Sequence, residues 1–233
     1  MGDYRSGKLV AGSVAASIIA SYSHGSIIGV GSGSTVKVFI DELRRLGVID
    51  KYVFISTSYD TTLYLRSRGA VNIESSISPS EIDVSVDGAD EVDRELNLLK
   101  GGGGALFREK IVFKASRRRI VVVDESKLVD RLASRFPIPV EVVPFSLNYV
   151  IDRIKIIIDC DISIRESRGK LGPLISDNGN FIIDLKPRNV DDPRELDLKI
   201  RSIDGVVATG IFPYDGYEII VGYDRGEYKV FKK

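Results

Sequence analysis

A lysine, four consecutive glycines and a glutamate share one short stretch, Leu98 to Lys110, which reads LLKGGGGALFREK. Glycine loses more conformational freedom on folding than any other residue. A run of four therefore implies backbone brought close to a ligand, although a tight strand-to-helix connection would look the same. Winding the following helix from Ala105 at about 100° per residue places Ala105, Leu106, Val112 and Phe113 within about 60° of Glu109. Glu109 is expected to face the packed side, and a carboxylate in apolar surroundings is readied to take and return protons near neutral pH. Phe107 and Ile111 fall on the other side, so the helix is expected to be covered on two faces. Lys100 is either the cation that steadies a developing oxyanion beside the loop or an ordinary surface charge.

Two further segments could act on the same substrate. Gly31-Ser32-Gly33-Ser34-Thr35 combines glycines and hydroxyls at the start of a helix, where free N–H groups and the helix dipole favour a phosphate. It is a poor dinucleotide fingerprint. Counting from Gly29, Ser34 replaces the third glycine, and the next strand ends in Ser56-Thr57 without an acidic residue for a ribose. No Lys-Ser/Thr pair follows, so it is no P-loop either; a plain turn is the competing reading. Asp87-Gly88-Ala89-Asp90 sets two carboxylates at a strand end, suited to sugar hydroxyls or to acid–base work on a ring oxygen. A metal site enlarged by Glu91 and Asp93 competes with this, though the spacing fails the calcium-loop pattern. So does a solvated acidic edge. A phosphate cradle, hydroxyl-binding carboxylates, a cation and a shielded glutamate suit proton abstraction beside the carbonyl of a phosphorylated sugar, with no metal and no cofactor.

Composition sets bounds on the rest. Lysine plus arginine equals aspartate plus glutamate at 33 each, so no broad positive field gathers nucleic acid. Cys160 is the single cysteine and His24 the single histidine. An internal disulfide is impossible, a reducing compartment is expected, and metal clusters built on His or Cys are ruled out by count. No apolar run approaches the roughly 20 residues needed to span a bilayer, so a soluble cytoplasmic protein without membrane partners is expected.

The elements that must position these residues read as alternating strands and helices. Val10, Val14 and Ile18 mark a first helix ending near His24-Gly25. Strands follow at 27–30, 52–57, 71–73, 82–86 and 120–123. Crossover helices lie between them, one with Val36, Phe39, Ile40, Leu43 and Leu46 inward and another over 60–68. The basic run 117–119 is expected at a solvated helix end. Alternation of this kind means a parallel sheet covered on both faces, where ligands bind outside the carboxyl ends of the strands. After Phe136-Pro137-Ile138-Pro139 the order becomes strand 140–143, helix 145–154, strand 158–164, strand 181–185, helix 193–201 and strand 206–211. That β-α-β-β-α-β order is ferredoxin-like. Strands 218–221 and 228–231 are expected to return to the first sheet. The fold class is thus α/β: an open parallel-sheet Rossmann-like catalytic domain, 1–133 and 207–233, with an inserted α+β ferredoxin-like domain over 134–206.

The segments GVGSGSTVKVFIDEL (29–43), VDGADEVD (86–93), LLKGGGGALFREKIV (98–112), VVDESKLVD (122–130), FPIPVEVVP (136–144) and SDNGN (176–180), in this order, strongly resemble the A-type ribose-5-phosphate isomerases. The resemblance implies interconversion of D-ribose 5-phosphate and D-ribulose 5-phosphate. It implies that Glu109 is the base working through an enediolate, and that Asp87, Asp90 and Lys100 handle ring opening and the charge on the carbonyl oxygen. It implies substrate contacts from Ser32, Gly33, Ser34 and Thr35, from Asp87, Gly88, Ala89 and Asp90, from Lys100, Gly101, Gly102 and Gly103, and from Lys127. It also implies a homodimer or homotetramer. Ser32 and Gly104 stand where the family often has threonine and alanine. Lys8 has no secure match to the family's first-helix lysine, and 56–62 matches its serine-rich loop only loosely. The rival of a different class is a sugar-phosphate-binding sensor domain without turnover. A related amino-sugar-phosphate deaminase is disfavoured by the single His24, and an acyl-CoA transferase by the burial expected for Glu109.

Overall fold

β-Branched and aliphatic runs punctuated by glycine form the strands of this chain, and amphipathic stretches between them form the helices. A computed structural model describes residues 6–74, 76, 82–167, 169 and 171–233. In chain order the elements begin with α1 (Ser6–Ile19), β1 (Ile27–Val30), α2 (Ser34–Arg45), β2 (Val53–Ser56), α3 (Tyr59–Ser67), β3 (Asn72–Glu74) and β4 (Ile82–Asp87). Next come β5 (Glu91–Val92), β6 (Leu98–Leu99), α4 (Leu106–Ala115), β7 (Ser116–Asp124), β8 (Ile138–Val142), α5 (Leu147–Ile157) and β9 (Cys160–Ile164). The last are β10 (Phe181–Pro187), α6 (Pro193–Arg201), β11 (Val206–Thr209), β12 (Ile211–Phe212), β13 (Glu218–Gly222) and β14 (Tyr228–Phe231). Among the described residues no helix is long and apolar enough to cross a membrane.

The chain divides into two compact units. The first comprises Met1–Ala89, Ile111–Lys127 and Asp215–Lys233. Its seven-stranded sheet runs β14-β13-β7-β4-β1-β2-β3. All neighbours are parallel except β13 and β14. Read from β3, the parallel strands follow the 3-2-1-4-5-6 order of a doubly wound fold, whose switch point lies between β1 and β4. Val30 is level with Ser56 on β2 and Val86 on β4, so the chain leaves all three strands at one height. The core joins Ile28, Val30, Phe39, Leu43, Phe54, Val84, Val86, Ile120 and Ile220. On α1 the fully packed face is Gly7, Ala11, Gly12, Ala15, Ala16 and Ile19, with Val14 and Ile18 only partly buried. Small residues let that helix approach closely: a Cβ on Gly12 would lie 2.7 Å from Val38 Cγ1.

The second unit comprises Asp90–Lys110 and Leu128–Tyr214. It holds a four-stranded antiparallel sheet, β11-β8-β10-β9. Numbered within the segment this is 4-1-3-2, the order a β-α-β-β-α-β chain needs to pair fully antiparallel. Val140, Val142, Ile183, Leu185, Val150, Ile154, Leu196 and Ile200 make its core. Asp192 caps α6 by accepting the Glu195 N–H at 3.0 Å, and Pro193 fills the first helical position. The segment 134–206 lies within this unit, which also takes in 90–110, 128–133 and 207–214.

Three expectations need correction. The basic run 117–119 lies inside β7 and not at a helix end. Its charges are held across the sheet, Arg118 by Glu218 and Arg119 by Asp215. Leu46, expected inward, is an exposed C-cap residue, and Ile111 is exposed, so α4 is not covered on the face that Ile111 presents. The small sheet β12-β6-β5 was not foreseen; strands of two residues are too short to show a period.

Candidate active site

In the first unit the candidate residues gather at the switch point. Gly31 follows β1 directly and donates its N–H to Val86 O at 2.9 Å. Asp87, the last residue of β4, is 3 % exposed. Its Oδ1 accepts N–H bonds from Ser32 at 3.1 Å and Gly88 at 2.7 Å, so backbone donors hold a buried carboxylate. A Cβ on Gly31 would fall 1.7 Å from Asp87 Oδ1, which is why glycine stands there. Gly33 precedes α2 at φ +111° and supplies no side-chain cap, leaving the first N–H groups of that helix without one. Ser34 and Thr35 form the first turn.

Sequence reasoning missed part of this cluster. Ser32 Oγ lies 3.1 Å from Thr57 Oγ1, 2.8 Å from Ser58 Oγ and 3.3 Å from Thr61 Oγ1. Thr61 Oγ1 in turn donates to Gly31 O at 2.8 Å, and Ser58 caps α3. The signal was present, since 57–58 follow β2 at the height where Gly31 follows β1. Lys8, left out for want of a sequence match, donates from Nζ to Ser34 Oγ at 2.9 Å. A cation therefore reaches the uncapped start of α2, a setting suited to an anion. Lys127 ends a short 3-10 turn (125–127) that begins where Asp124 Oδ1 accepts the Ser126 N–H at 2.9 Å.

The second unit holds the other candidates. Asp90 takes the N–H of Gly102 on Oδ2 at 2.8 Å, and its own N–H donates to Leu99 O at 2.8 Å. Lys100 follows β6, and its N–H is fixed on Gly210 O at 2.8 Å. Gly101 and Gly104 adopt φ of +88° and +86°, conformations that L side chains resist. Gly104 returns its N–H to Gly101 O at 2.9 Å, closing the turn that starts α4. Gly102 has no room for a side chain beside Asp90, whereas Gly103 is exposed and faces open space.

Glu109 lies on the packed face, 4 % exposed, in phase with buried Ala105, Leu106, Val112 and Phe113. Lys100 is 2 % exposed, and its Nζ lies 3.3 Å from Glu109 Oε2. The ammonium and the carboxylate thus form a buried ion pair within the second unit. The next residue, Lys110, is tied elsewhere, to Asp197 Oδ1 at 3.1 Å and Ile211 O at 2.7 Å. The structure thus brings Ser32, Gly33, Ser34, Thr35, Asp87 and Gly88 together in the first unit. In the second it joins Asp90, Lys100, Gly102 and Glu109.

Comparison with known proteins bears on what these residues serve. A family model described as ribose 5-phosphate isomerase A (phosphoriboisomerase A) matches residues 53–226. A ribose-5-phosphate isomerase A of Archaeoglobus fulgidus is 40% identical over 222 residues, 93% of this chain and 94% of that protein. One from Methanothermobacter thermautotrophicus is 42% identical over 87% of this chain and 88% of its own length. Among solved structures, ribose 5-phosphate isomerase A of Methanocaldococcus jannaschii superposes with a TM-score of 0.88 at 38% identity, covering 97% of this chain and 98% of that one. A D-ribose-5-phosphate isomerase in complex with phospho-erythronic acid matches equally well, with a TM-score of 0.88, 38% identity and 97% coverage of both chains.

Proposed function

The chain belongs to the ribose 5-phosphate isomerase A family, and on that footing we propose that it interconverts D-ribose 5-phosphate and D-ribulose 5-phosphate by proton transfer through an enediolate. The observation that carries the proposal is the buried Lys100–Glu109 pair beside the glycine loop. In the aldose-to-ketose direction Glu109 removes the proton on C2, leaving an enediolate with its charge on the former carbonyl oxygen O1. The Lys100 ammonium and loop N–H groups stabilise that charge. Glu109 then returns the proton to C1 while the O2 hydroxyl proton passes to O1 as the C2 carbonyl forms. Before this step Asp87 and Asp90 serve ring opening, Asp87 as a carboxylate oriented by two N–H donors and Asp90 by one.

Ser32, Gly33, Ser34, Thr35 and Lys127 are assigned to substrate binding, with Gly88, Ala89, Gly101, Gly102 and Gly103. Lys8 joins them at the phosphate because its ammonium meets Ser34 at the start of α2. The reaction needs neither metal nor cofactor. A cytoplasmic setting is part of the proposal and rests on the lone Cys160. A homodimer or homotetramer is proposed too; fully exposed Phe145 and largely exposed Ile156 are the kind of apolar surface an oligomer covers.

Incubation with ribose 5-phosphate in deuterated water, with chelator present, tests the reading. Ketose carrying solvent deuterium at C1 is the expected product. Glu109→Gln, folded, should lose about 10²- to 10⁴-fold in kcat. Binding without conversion by folded wild-type protein would identify a sensor and end the isomerase reading.

A further inference from the structure

Arg165, directly after β9, reaches the glycine loop within the second unit. Its backbone is pinned to the four-stranded sheet: its N–H donates to Ile182 O at 2.8 Å and its C=O accepts from Leu174 N at 2.8 Å. The guanidinium grips Asp184 of β10 with two donors, Nε to Oδ2 at 2.8 Å and Nη2 to Oδ1. The remaining Nη1 donates to two successive carbonyls of the loop, Gly101 O at 2.9 Å and Gly102 O at 3.1 Å.

Those bonds dictate where the loop's N–H groups point. In a trans peptide the C=O and the following N–H lie in one plane and point in opposite directions. With the Gly101 carbonyl turned to Arg165, the Gly102 N–H turns the other way, and it meets Asp90 Oδ2 at 2.8 Å. With the Gly102 carbonyl likewise held, the Gly103 N–H is aimed away from the guanidinium. Among the described residues it meets no acceptor, and a Cβ at Gly103 would contact nothing within 4 Å. A cation on the carbonyl side also polarises each amide and strengthens its N–H as a donor. Lysine could not do this, because a point ammonium lacks the fork that holds Asp184 and two carbonyls together.

We propose that Arg165, locked by Asp184, is a positioning residue that orients the 101–103 peptides so that the Gly103 N–H donates to the substrate oxyanion. The inference rests on the isomerase reading and deepens it. Arg165 touches no reacting atom. Its effect should therefore appear where negative charge develops, in kcat and in affinity for an acid analogue, and not in phosphate recognition.

The test compares full-length wild type with Arg165→Ala, Arg165→Lys and Asp184→Asn. The measurements are kcat and KM for ribose 5-phosphate, inhibition by phospho-erythronic acid and by inorganic phosphate, and Tm. For Arg165→Ala, kcat should fall about 10- to 100-fold with KM nearly unchanged. Phospho-erythronic acid should bind about 10-fold or more weakly while phosphate inhibition stays within about twofold, and added guanidinium ion should restore part of kcat. Equal weakening of both inhibitors would mean general distortion and overturn the proposal, as would kcat within about threefold of wild type. Should Arg165→Ala fail to fold, Arg165→Lys and Asp184→Asn carry the same expectation at about fivefold in kcat. Wild-type kcat in both overturns it. Absence of turnover by wild type itself would instead overturn the isomerase reading, and this inference with it.

Discussion

A methyl group on Gly31 would sit 1.7 Å from Asp87 Oδ1, far inside any contact distance, so this glycine is fixed by the approach of a carboxylate and not by its own dihedral angles. Gly31→Ala must push Asp87 off the Ser32 and Gly88 donors. The expected result is a folded protein with kcat/KM down by about 10²-fold, since displacements near 1 Å cost that much; a kinetically normal variant would detach Asp87 from the reaction. Lys100 and Glu109 make a second residue-scale case. Removing one member of a buried ion pair costs about 3 kcal/mol or more, so Lys100→Met should lower stability as well as turnover. Urea unfolding checks this, and an unchanged midpoint would mean that Glu109 does not depend on the ammonium. Glu109 could be found in the sequence because helical phase alone puts it among Leu106, Val112 and Phe113. Arg165 could not, because its partners lie far along the chain at 184 and 101–102, and no local period joins them.

Elements were legible where they are long and alternate in type. β1, α6 and β14 run over the residues their patterns indicate, and the switch from βα units to a β-α-β-β-α-β run marks the change of sheet. The misread element is instructive. Arg117, Arg118 and Arg119 look like a solvated helix end, yet β7 begins before them, and tertiary ion pairs hold the charges of Arg118 and Arg119. Arg118 donates to Glu218 from Nε at 3.2 Å and from Nη2 at 2.8 Å, joining β7 to its parallel neighbour β13. The hydrogen bonds from Arg118 hold the Glu218 carboxyl below its ordinary value, with Lys232 adding to the effect. A depressed folded-state value means that the pair stabilises fully above the ordinary glutamate range and ceases to do so as pH falls through the folded value. Wild type should therefore exceed Glu218→Gln in Tm at pH 7, and the gap should close as pH drops below about 4. Arg118 is partly exposed, so the difference is about 1 kcal/mol or less. A gap that widens in acid would show that Glu218 acts by something other than this charge.

At the scale of the molecule, the first unit is assembled from three separated stretches of chain, and its last contribution, Asp215–Lys233, follows the whole second unit. No residue proposed for chemistry, binding or positioning lies beyond Asp184, so by sequence position the final strands are dispensable. Packing argues otherwise. β13 is an interior strand, flanked by β7 and β14, and Ile219, Ile220 and Val221 are fully buried. Burying each such side chain contributes about 1.5–3 kcal/mol, so their loss removes about 5–9 kcal/mol before any ladder hydrogen bond is counted. That matches the whole net stability of an ordinary domain, about 5–15 kcal/mol. Truncation also bares the edge of β7, a long strand whose 120–123 half is apolar, with unpaired backbone groups, which invites aggregation. Gly222 adds a local reason: it lies so close to Gly7 that a Cβ on it would fall 2.0 Å from Gly7 O, and α1, which carries Lys8, is seated on that contact. A chain ending at residue 214 should then be inactive and aggregation-prone although every proposed catalytic group is present. Circular dichroism, light scattering and a ribose 5-phosphate assay decide the matter. A monodisperse truncated protein with wild-type kcat would mean that the seven-stranded sheet does not need β13 and that the site draws its support from β4, β1 and β2 alone.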